Sequence, residues 1–411
     1  MSRPKIAVVG SAIAGSSMAI LLQRANIDVT VYEQRPKGVL VDRGAGIALP
    51  KYLVKKLIEM DILDKSFPII DVNEREFIQF SPKTGEENNL GKKPFLASAV
   101  HWGSLYSNLA KRIPDSIIHY DTKVTSLRCE EKVYLTLNND ENEQEYDIVI
   151  WADGYHSLGR KYLFPESEPQ FTNYIAWRGT LVRVDAETDK HLTNKVPFYL
   201  YDKGHLLLYA IPQLTATDTS KEYIVNWLIY ENMSPENPIV RDKRFHENVM
   251  SNNMTAEYKD YLYRLVKKYF NSFVQEVVLA TPEPFTQAIY DAYVPSYFVK
   301  NMALAGDASI LARPHVGAGS AKAIEDALSL FEQLQMDKDI YSAFTQWSVE
   351  RQKAGNKLLN LCRDLGGLFV NKMPVWEKST SSELDKYWEK TVKDHDDWYQ
   401  INHKRLLKMK E

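Results

Sequence analysis

The chain has 411 residues, and its 51 Lys and Arg stand against 54 Asp and Glu, which gives a formal net charge of −3. This length favours two or three domains, or one large α/β domain. The charge balance argues against general electrostatic binding to nucleic acid or to an anionic membrane surface. Two cysteines exclude a disulfide scaffold and most cysteine-based metal sites. We therefore expect a cytoplasmic protein with no metal, and with neither nucleic acid nor membrane among its partners.

Residues 5–33 predict a βαβ unit, in which an apolar β-type run, a helical pattern and a second β-type run follow one another. The first turn contains Gly10-Ser-Ala12-Ile-Ala-Gly15. Its first glycine permits a tight turn, its last lets helix and strand pack closely, and Ala12 departs from the strict glycine pattern by one methyl group. The helix N-terminus suits a pyrophosphate. Glu33, at the end of the second run, suits ribose hydroxyls and would repel a 2′-phosphate, so the unit predicts FAD or NAD rather than NADP.

The rest of the chain predicts an interrupted nucleotide-binding fold. Buried-strand patterns recur at 146–151 and 302–305, and each is followed by a Gly/Asp pair. Between them, β-branched and aromatic residues predict a mostly antiparallel sheet. Long helices are expected at about 320–334 and 340–362. The tail after Pro374 carries spaced apolar residues that favour a helix docked on this chain, with a dimer contact or a partner site as the other interpretations: Leu384, Trp388, Val392, Tyr399 and Leu406.

Three motifs together resemble those of a known enzyme family. The segments Asp153-Gly154…Arg160 and Gly306-Asp307…Gly319, with the glycine loop, are similar to the fingerprints of class A FAD-dependent aromatic monooxygenases, the para-hydroxybenzoate hydroxylase-like flavoproteins. They stand in the family's order and spacing, nearly from residue 1 to residue 365. Three shorter motifs are similar to those of 2,6-dihydroxypyridine 3-hydroxylase-like members of this family: Arg43-Gly44-Ala45-Gly46-Ile47, Trp177-Arg178-Gly179, and Arg313-Pro314-His315 followed by Ala321-Lys322-Ala323.

The resemblance implies an α/β fold of the glutathione reductase type. An FAD-binding Rossmann-like domain (1–170 and 293–365) would be interrupted by a mostly antiparallel β-sheet substrate domain (171–292) and followed by a helical C-terminal tail (366–411). It also implies FAD as the cofactor, NADH or NADPH as a transient reductant, and O₂ and a small aromatic substrate as partners, with a homodimer left open. The implied reaction is hydroxylation of an electron-rich aromatic or hydroxypyridine-type ring through a flavin C4a-hydroperoxide.

The resemblance also implies roles for particular residues. Asp307 would accept a hydrogen bond from the FAD ribityl chain, Pro314 would lie beside the isoalloxazine, and backbone N–H groups at 317–320 would meet the flavin N1/C2=O edge. The expected catalytic residues are His315, Pro314, Tyr209 and Arg178. The expected cofactor-binding residues are Gly10, Ala12, Ile13, Ala14, Gly15, Glu33, Gln34, Arg35, Arg43, Ala45, Gly46, Asp153, Arg160, Gly306, Asp307, Gly317, Ala318, Gly319 and Ser320.

One departure concerns the flavin site, where Trp102 stands in the place of the family's usual arginine; Arg43 is a candidate substitute. Further candidates for substrate contact lie on the β-rich segment, although packing alone explains any single tyrosine there: Arg178, Tyr199, Tyr201, His205, Tyr209, Asn226 and Tyr230.

Two alternative functions stay open. One is an oxygenase on the same scaffold that acts on a polycyclic natural product or antibiotic. The other is a flavin-binding regulatory or scaffold protein with vestigial chemistry.

Overall fold

The computed structural model describes residues 4–40, 46–140, 142–183, 185–213, 223–242, 254–337 and 339–395. Two expected cofactor residues, Arg43 and Ala45, lie outside the described residues, as do the tail positions Tyr399 and Leu406. Within these ranges, no helix combines the length and apolar composition needed to cross a membrane.

The strands are β1 (Lys5–Val9), β2 (Asp28–Tyr32), β3 (Gly46–Pro50), β4 (Ile70–Phe80), β5 (Glu87–His101), β6 (Ile118–His119), β7 (Val124–Cys129), β8 (Val133–Leu137), β9 (Glu143–Tyr146), β10 (Ile148–Trp151), β11 (Gln170–Val182), β12 (Lys195–Tyr201), β13 (Gly204–Pro212), β14 (Tyr223–Asn232), β15 (Phe285–Asp291), β16 (Phe298–Val299) and β17 (Met302–Leu304). The helices are α1 (Ile13–Arg24), α2 (Lys51–Glu59), α3 (Trp102–Ala110), α4 (Leu158–Leu163), α5 (Ala186–Leu192), α6 (Pro238–Arg241), α7 (Ala256–Tyr269), α8 (Ser272–Leu279), α9 (Gly319–Met336), α10 (Ile340–Gly366) and α11 (Ser381–Val392).

The smaller of the two main sheets is the nucleotide-binding sheet that the sequence predicts. Among the described residues it has six strands in the order β16-β17-β10-β1-β2-β6, parallel except for β16. Its central strands are apolar on both faces, as parallel strands covered by helices require. Helix α1 packs against α9 over this sheet, with which both share one apolar core. The carboxyl ends of β1, β2 and β10 therefore converge on the Gly10 turn, where nucleotide sites form in such folds.

The larger sheet has eight described strands in the order β15-β11-β14-β13-β12-β4-β5-β3, antiparallel except where β4 pairs with β12. The sequence pattern places residues 46–101 in the first part of the FAD-binding domain, whereas the structure adds their strands to this sheet. The long-range pairing of β4 with β12 causes this difference, and no local pattern shows it. The predicted fold class is confirmed; the division into four segments stays a prediction.

The helical tail docks on the chain itself in its described part. Thr380 and Glu383 form a reciprocal cap at the start of α11: the Thr380 hydroxyl accepts from the Glu383 N–H at 3.3 Å, and the Glu383 carboxylate accepts from the Thr380 N–H at 2.8 Å. Leu384 and Trp388 are buried in the same apolar cluster as Phe77 and Phe369. Helix α11 thus covers one face of the larger sheet near β5.

Candidate active site

A cavity of about 640 Å³ lies at the carboxyl ends of β1, β2 and β10. We call it the strand-end cavity. Six expected cofactor residues line it, namely Gly10, Ala12, Glu33, Gln34, Arg35 and Asp153. The sequence therefore identified much of this wall from the glycine loop, the strand-end acid and the Asp-Gly pair.

The glycine loop is shaped for close approach to a ligand. Gly10 has φ +94°, and a Cβ there would lie 2.6 Å from the Ala152 carbonyl oxygen. A Cβ on Gly15 would lie 1.8 Å from the Gly10 carbonyl oxygen, so only glycine lets α1 start this close to β1. Ala12, the N-cap residue of α1, supplies no side-chain cap, which leaves first-turn N–H groups for an anion. These residues fit a pyrophosphate.

Glu33 is buried at the end of β2, where its carboxylate is held in a fixed orientation. One oxygen accepts from both the N–H and the hydroxyl of Ser11 at 2.9 Å, and the other accepts from the Arg35 N–H at 3.0 Å. A carboxylate oxygen has two lone pairs, so the group keeps acceptor capacity for ribose hydroxyls. Ser11, which the sequence analysis did not single out, is thus the residue that orients this acid.

The Asp-Gly segment after β10 holds one acid and one buried cation in different roles. Asp153 accepts from the Leu158 N–H at 2.8 Å through one oxygen, while the other oxygen is buried without a hydrogen-bond partner. Burial raises the pKa of Asp153 to about 6. Arg160 is only 4% exposed and donates to the carbonyl oxygens of Asp307 at 3.0 Å, of Ala308 at 3.3 Å and of Tyr155. It ties the two loops together from behind and lines neither cavity, and its contact with a cofactor stays a prediction.

A buried ionic network supports the Gly306-Asp307 loop. The Lys322 ammonium donates to the Gly306 carbonyl oxygen at 2.7 Å, to the Ser309 hydroxyl at 2.6 Å and to the Asp326 carboxylate at 2.8 Å. Asp326 also accepts from the Gly306 N–H at 3.0 Å and from Arg351 at 2.8 Å. The sequence analysis assigned these charges no role. The available signal was the i, i+4 spacing of Lys322 and Asp326 within an otherwise apolar helix face.

A second cavity, of about 300 Å³, lies against the larger sheet; we call it the sheet cavity. Its wall near the flavin fingerprints contains the expected residues Asp307, Pro314, His315, Gly317, Gly319 and Ser320, and the sheet contributes Val72, Arg75, Phe95, Phe198, Tyr209 and Tyr230 among others. Ile47 and Arg178 line both cavities, so the two adjoin. Helix α9 begins at this wall, and its N-cap residue Ala318 adds no side-chain cap, so its first N–H groups suit an anion.

Asp307 is exposed in the structure, and it lines the sheet cavity. The remaining expected cofactor residues lie behind the cavity walls rather than in them: Ile13, Ala14, Gly15, Arg160, Gly306 and Ala318. Ala14 and Gly306 touch, since a Cβ on Gly306 would lie 2.8 Å from the Ala14 Cβ. The glycine loop and the Gly306 loop are therefore in direct contact behind the cavity walls.

His315 lines the sheet cavity and is buried. Its Nε2 lies 2.7 Å from the Tyr174 hydroxyl, while its Nδ1 is buried without a hydrogen-bond partner. Burial, with smaller contributions from His205 and Arg313, holds the His315 pKa well below its usual value, so the imidazole is neutral at pH 7. Helix α10 can pack closely against the His315 ring because residue 366 is glycine; a Cβ there would lie 3.0 Å from His315 Nε2.

The other expected catalytic side chains, Arg178 and Tyr209, differ in how many of their hydrogen-bonding groups are left for a substrate. Arg178 donates to the Gln287 side-chain oxygen at 2.8 Å, and its Nε is buried without a hydrogen-bond partner. Tyr209 donates its hydroxyl to the Gly46 carbonyl oxygen at 2.5 Å, and Asn226 accepts from the Gly46 N–H at 2.9 Å. The Tyr209 hydroxyl therefore fixes the start of β3, and its ring is what it presents to the cavity.

Strand alternation decides which of the sheet candidates face the cavity. Arg178, Tyr209 and Tyr230 line it. Tyr199 and Tyr201 point to the opposite face, where they pack against Phe270. Packing therefore accounts for these two candidates, which is the interpretation that the sequence favoured for any single tyrosine there, because successive side chains on a strand point to opposite faces.

Comparison with known proteins agrees with this geometry. Residues 171–291 match the FAD binding domain-like family, and residues 8–38 match the NAD(P)-binding Rossmann-like domain. The chain is 28% identical to 2,6-dihydroxypyridine 3-monooxygenase of Paenarthrobacter nicotinovorans over 90% of this chain and 94% of the relative. It is 25% identical to 6-hydroxynicotinate 3-monooxygenase of Pseudomonas fluorescens, covering 91% and 94% of the two chains. The solved 2,6-dihydroxypyridine-3-hydroxylase from Arthrobacter nicotinovorans superimposes with a TM-score of 0.78 at 26% identity, covering 91% and 96%.

The chain is an FAD-dependent monooxygenase. Its relatives are class A aromatic monooxygenases, as the three motifs predict. In this monooxygenase, Trp102 lines the strand-end cavity and stacks on Tyr106 with ring centres 5.7 Å apart. An indole thus occupies the position where the motif predicts a cation.

Proposed function

We propose that this monooxygenase hydroxylates a small electron-rich aromatic or hydroxypyridine-type substrate, using FAD, O₂ and either NADH or NADPH. The observation that carries the proposal is the junction of the two cavities at Arg178: a site built for a dinucleotide opens onto an aromatic-walled chamber. The relatives named above act on hydroxylated pyridines, by their names, which supports the same class of substrate here.

The described residues fit FAD along both cavities. The α1 N-terminus and Gly10 would hold the pyrophosphate, Glu33 the ribose, Asp307 the ribityl chain, and the α9 N-terminus the negatively charged edge of the reduced ring. Bound FAD would supply the redox chemistry, accepting a hydride from the nicotinamide and activating O₂ at its C4a position.

The chain's own residues would position the substrate and polarise its hydroxyl group. The aromatic walls of the sheet cavity exclude water, which strengthens every polar contact inside. When His315 donates its Nε2–H hydrogen bond to Tyr174, its Nδ1 atom can accept a hydrogen bond from a substrate hydroxyl, which orients that hydroxyl and makes the ring more electron-rich. Pro314, on the same turn, lines the cavity beside this acceptor. Arg178, at the junction, would stabilise negative charge that develops on the substrate oxygen.

The sheet cavity has a volume of about 300 Å³, at the lower end of the usual range for ligand sites, and the flavin ring would take part of it. The proposal therefore favours a small substrate over a polycyclic natural product. The alternative of a flavin-binding regulatory protein predicts bound FAD with little NADH or NADPH oxidation in the presence of any phenol or hydroxypyridine. A homodimer and a cytoplasmic location stay predictions from the sequence.

The test is a screen of hydroxylated benzenes and pyridines for faster NADH or NADPH oxidation by the FAD-loaded protein, with products identified by mass spectrometry and H₂O₂ measured in parallel. We expect at least one compound to accelerate flavin reduction and to gain one oxygen atom. His315→Gln should lower hydroxylation at least tenfold and increase H₂O₂ release, whereas His191→Gln, a change on α5 outside both cavities, should not. If no compound accelerates flavin reduction, the regulatory interpretation is favoured instead.

A further inference from the structure

A bulge in strand β11 places Tyr174 next to His315. The pairing of β11 with β15 changes register within residues 171–175. Asn173, inside this stretch, has φ +63°, a left-handed conformation that is uncommon for a residue other than glycine. Its carbonyl oxygen accepts from the Met233 N–H at 3.0 Å, which holds the bulge against the end of β14. Bulges are frequent beside active sites, where they re-aim a side chain, and the side chain at this bulge is that of Tyr174.

The Tyr174 hydroxyl and the His315 imidazole form a contact that is closed to solvent. Tyr174 is fully buried, and its hydroxyl oxygen lies 2.7 Å from His315 Nε2. Gly366 of α10 covers the pair, since a Cβ there would lie 3.1 Å from the Tyr174 hydroxyl and 3.0 Å from His315 Nε2. Bulk water therefore does not compete for Nε2, and the state of this nitrogen depends on Tyr174.

A third group, the Thr172 hydroxyl, favours one direction for this hydrogen bond. It is also a hydrogen-bonding neighbour of Tyr174. It donates its one hydrogen to the Ile289 carbonyl oxygen at 2.8 Å, so toward Tyr174 it can act as the acceptor. When the Tyr174 hydrogen is directed to Thr172, the Tyr174 oxygen accepts from His315, and the imidazole proton is on Nε2. The lone pair of the ring is then on Nδ1, which is buried without a hydrogen-bond partner among the described residues.

The surroundings of the pair leave His315 neutral, so its tautomer becomes the chemical variable. Burial holds the His315 pKa well below its usual value, and neighbouring positive charges add to this effect. The other ionisable groups that act on the pair include His205, Tyr230, Cys362, Arg75 and Arg313. A neutral imidazole has one donor and one acceptor nitrogen, and the hydrogen bond at one nitrogen fixes the role of the other.

We propose that Tyr174 is a positioning residue, which holds His315 in the Nε2–H tautomer so that Nδ1 accepts a hydrogen bond from a substrate hydroxyl. The inference rests on the proposed function, and it adds the residue that sets the chemical state of the expected catalytic histidine. A base oriented by a third group through its other nitrogen follows the same logic. Without the Tyr174 hydroxyl, the proton would distribute between both nitrogens, and the Nδ1–H form would donate to a substrate oxygen rather than accept from a hydroxyl.

The tautomer is measured first without any substrate, in the FAD-loaded protein with ¹⁵N-labelled histidine. NMR distinguishes a protonated from an unprotonated ring nitrogen by its chemical shift, and His315→Gln identifies the signals by their loss. We expect Nε2–H in the wild type and a mixture of both tautomers in Tyr174→Phe. The matched control is Tyr199→Phe, which removes the hydroxyl of another fully buried tyrosine, on the opposite face of the same sheet, and should keep the wild-type signals.

The second measurement titrates 4-nitrophenol bound to the same protein without NADH or NADPH, so that no turnover occurs and the coloured phenolate reports ionisation. An acceptor at Nδ1 stabilises the neutral phenol, whereas an N–H donor stabilises the phenolate. We expect the acid dissociation constant of the bound probe to rise about tenfold in Tyr174→Phe, to rise less in Thr172→Val, and to stay within about twofold in Tyr199→Phe. In a His315→Gln background, Tyr174→Phe should have no further effect, whereas a role limited to packing would change the constant there as well.

A wild type with the proton on Nδ1 overturns the inference. So does a Tyr174→Phe variant that keeps the wild-type tautomer or the wild-type dissociation constant. If Tyr174→Phe does not retain FAD, Thr172→Val decides, because it removes the onward acceptor and keeps the tyrosine. Failure of the proposed function has a different signature, since the tautomer would depend on Tyr174 as expected while no compound accelerates NADH or NADPH oxidation.

Discussion

Replacing Lys322 with methionine tests whether the buried network beneath the Gly306 loop stabilises the protein. The change preserves most of the side-chain volume, but it removes two charged hydrogen bonds, to the Gly306 carbonyl oxygen and the Ser309 hydroxyl, together with the ion pair to Asp326. Charged hydrogen bonds contribute about 1.5–3 kcal/mol each. Loss of one partner of a buried ion pair costs about 3–5 kcal/mol. These contributions overlap and do not add, because all three contacts are made by one ammonium group. Asp326 keeps Arg351 at 2.8 Å, so we expect the lower end of the ion-pair range, about 3 kcal/mol.

Urea unfolding followed by tryptophan fluorescence measures this loss. Two FAD concentrations separate reduced intrinsic stability from reduced cofactor affinity, because a ligand that binds only the folded state adds a concentration-dependent contribution. The control is Lys56→Met, which breaks a half-exposed ion pair with Glu332 and should cost at most about 1 kcal/mol. If the Lys322 variant unfolds within about 1 kcal/mol of the wild type at both FAD concentrations, the stabilising role of the network is refuted.

Three further predictions concern the glycine loop, Asp153 and the tail. Gly10→Ala should abolish FAD retention in purified protein, because the new Cβ would clash with the Ala152 carbonyl oxygen. The control Gly85→Ala, also at positive φ but with open space around the new Cβ, should retain FAD. Equal flavin content in both variants would contradict this prediction. Burial raises the Asp153 pKa from 3.8 to about 6, so the folded state binds this proton more tightly and loses stability as pH rises. The unfolding free energy of Asp153→Asn relative to wild type should therefore increase by about 2 kcal/mol between pH 4.5 and 7.5, and a pH-independent difference would refute it. Leu384→Ala should destabilise by about 2–5 kcal/mol through a cavity beneath α11, against less than about 1 kcal/mol for the more exposed Tyr387→Ala; a loss no larger than that of Tyr387→Ala would mean that α11 is not docked in solution.

The sequence predicted those parts of the site whose chemistry is local. The turn from Gly10 to Gly15 and the acid Glu33 sit within one βαβ unit, where spacing along the chain fixes spacing in space. Groups joined by tertiary contacts left no such signal. Arg75 reaches the cavity only because β4 pairs with β12, and the hydroxyl of Tyr209 is engaged by a glycine on a strand far away in sequence. The phase of each strand was likewise undetermined, so the sequence could not separate Tyr209 and Tyr230, which line the sheet cavity, from Tyr199, which packs on the opposite face.

The hydrogen bonds of Arg160 have a consequence for substitutions in the two fingerprint loops. The Arg160 guanidinium donates hydrogen bonds to the carbonyl oxygens of Tyr155, Asp307 and Ala308, so one side chain links the two fingerprint loops. A displacement of either loop must be transmitted to the other or must break these bonds. The two loops, about 150 residues apart in sequence, should therefore move together. A substitution that shifts one loop should be tolerated only when the backbone of the other loop shifts with it.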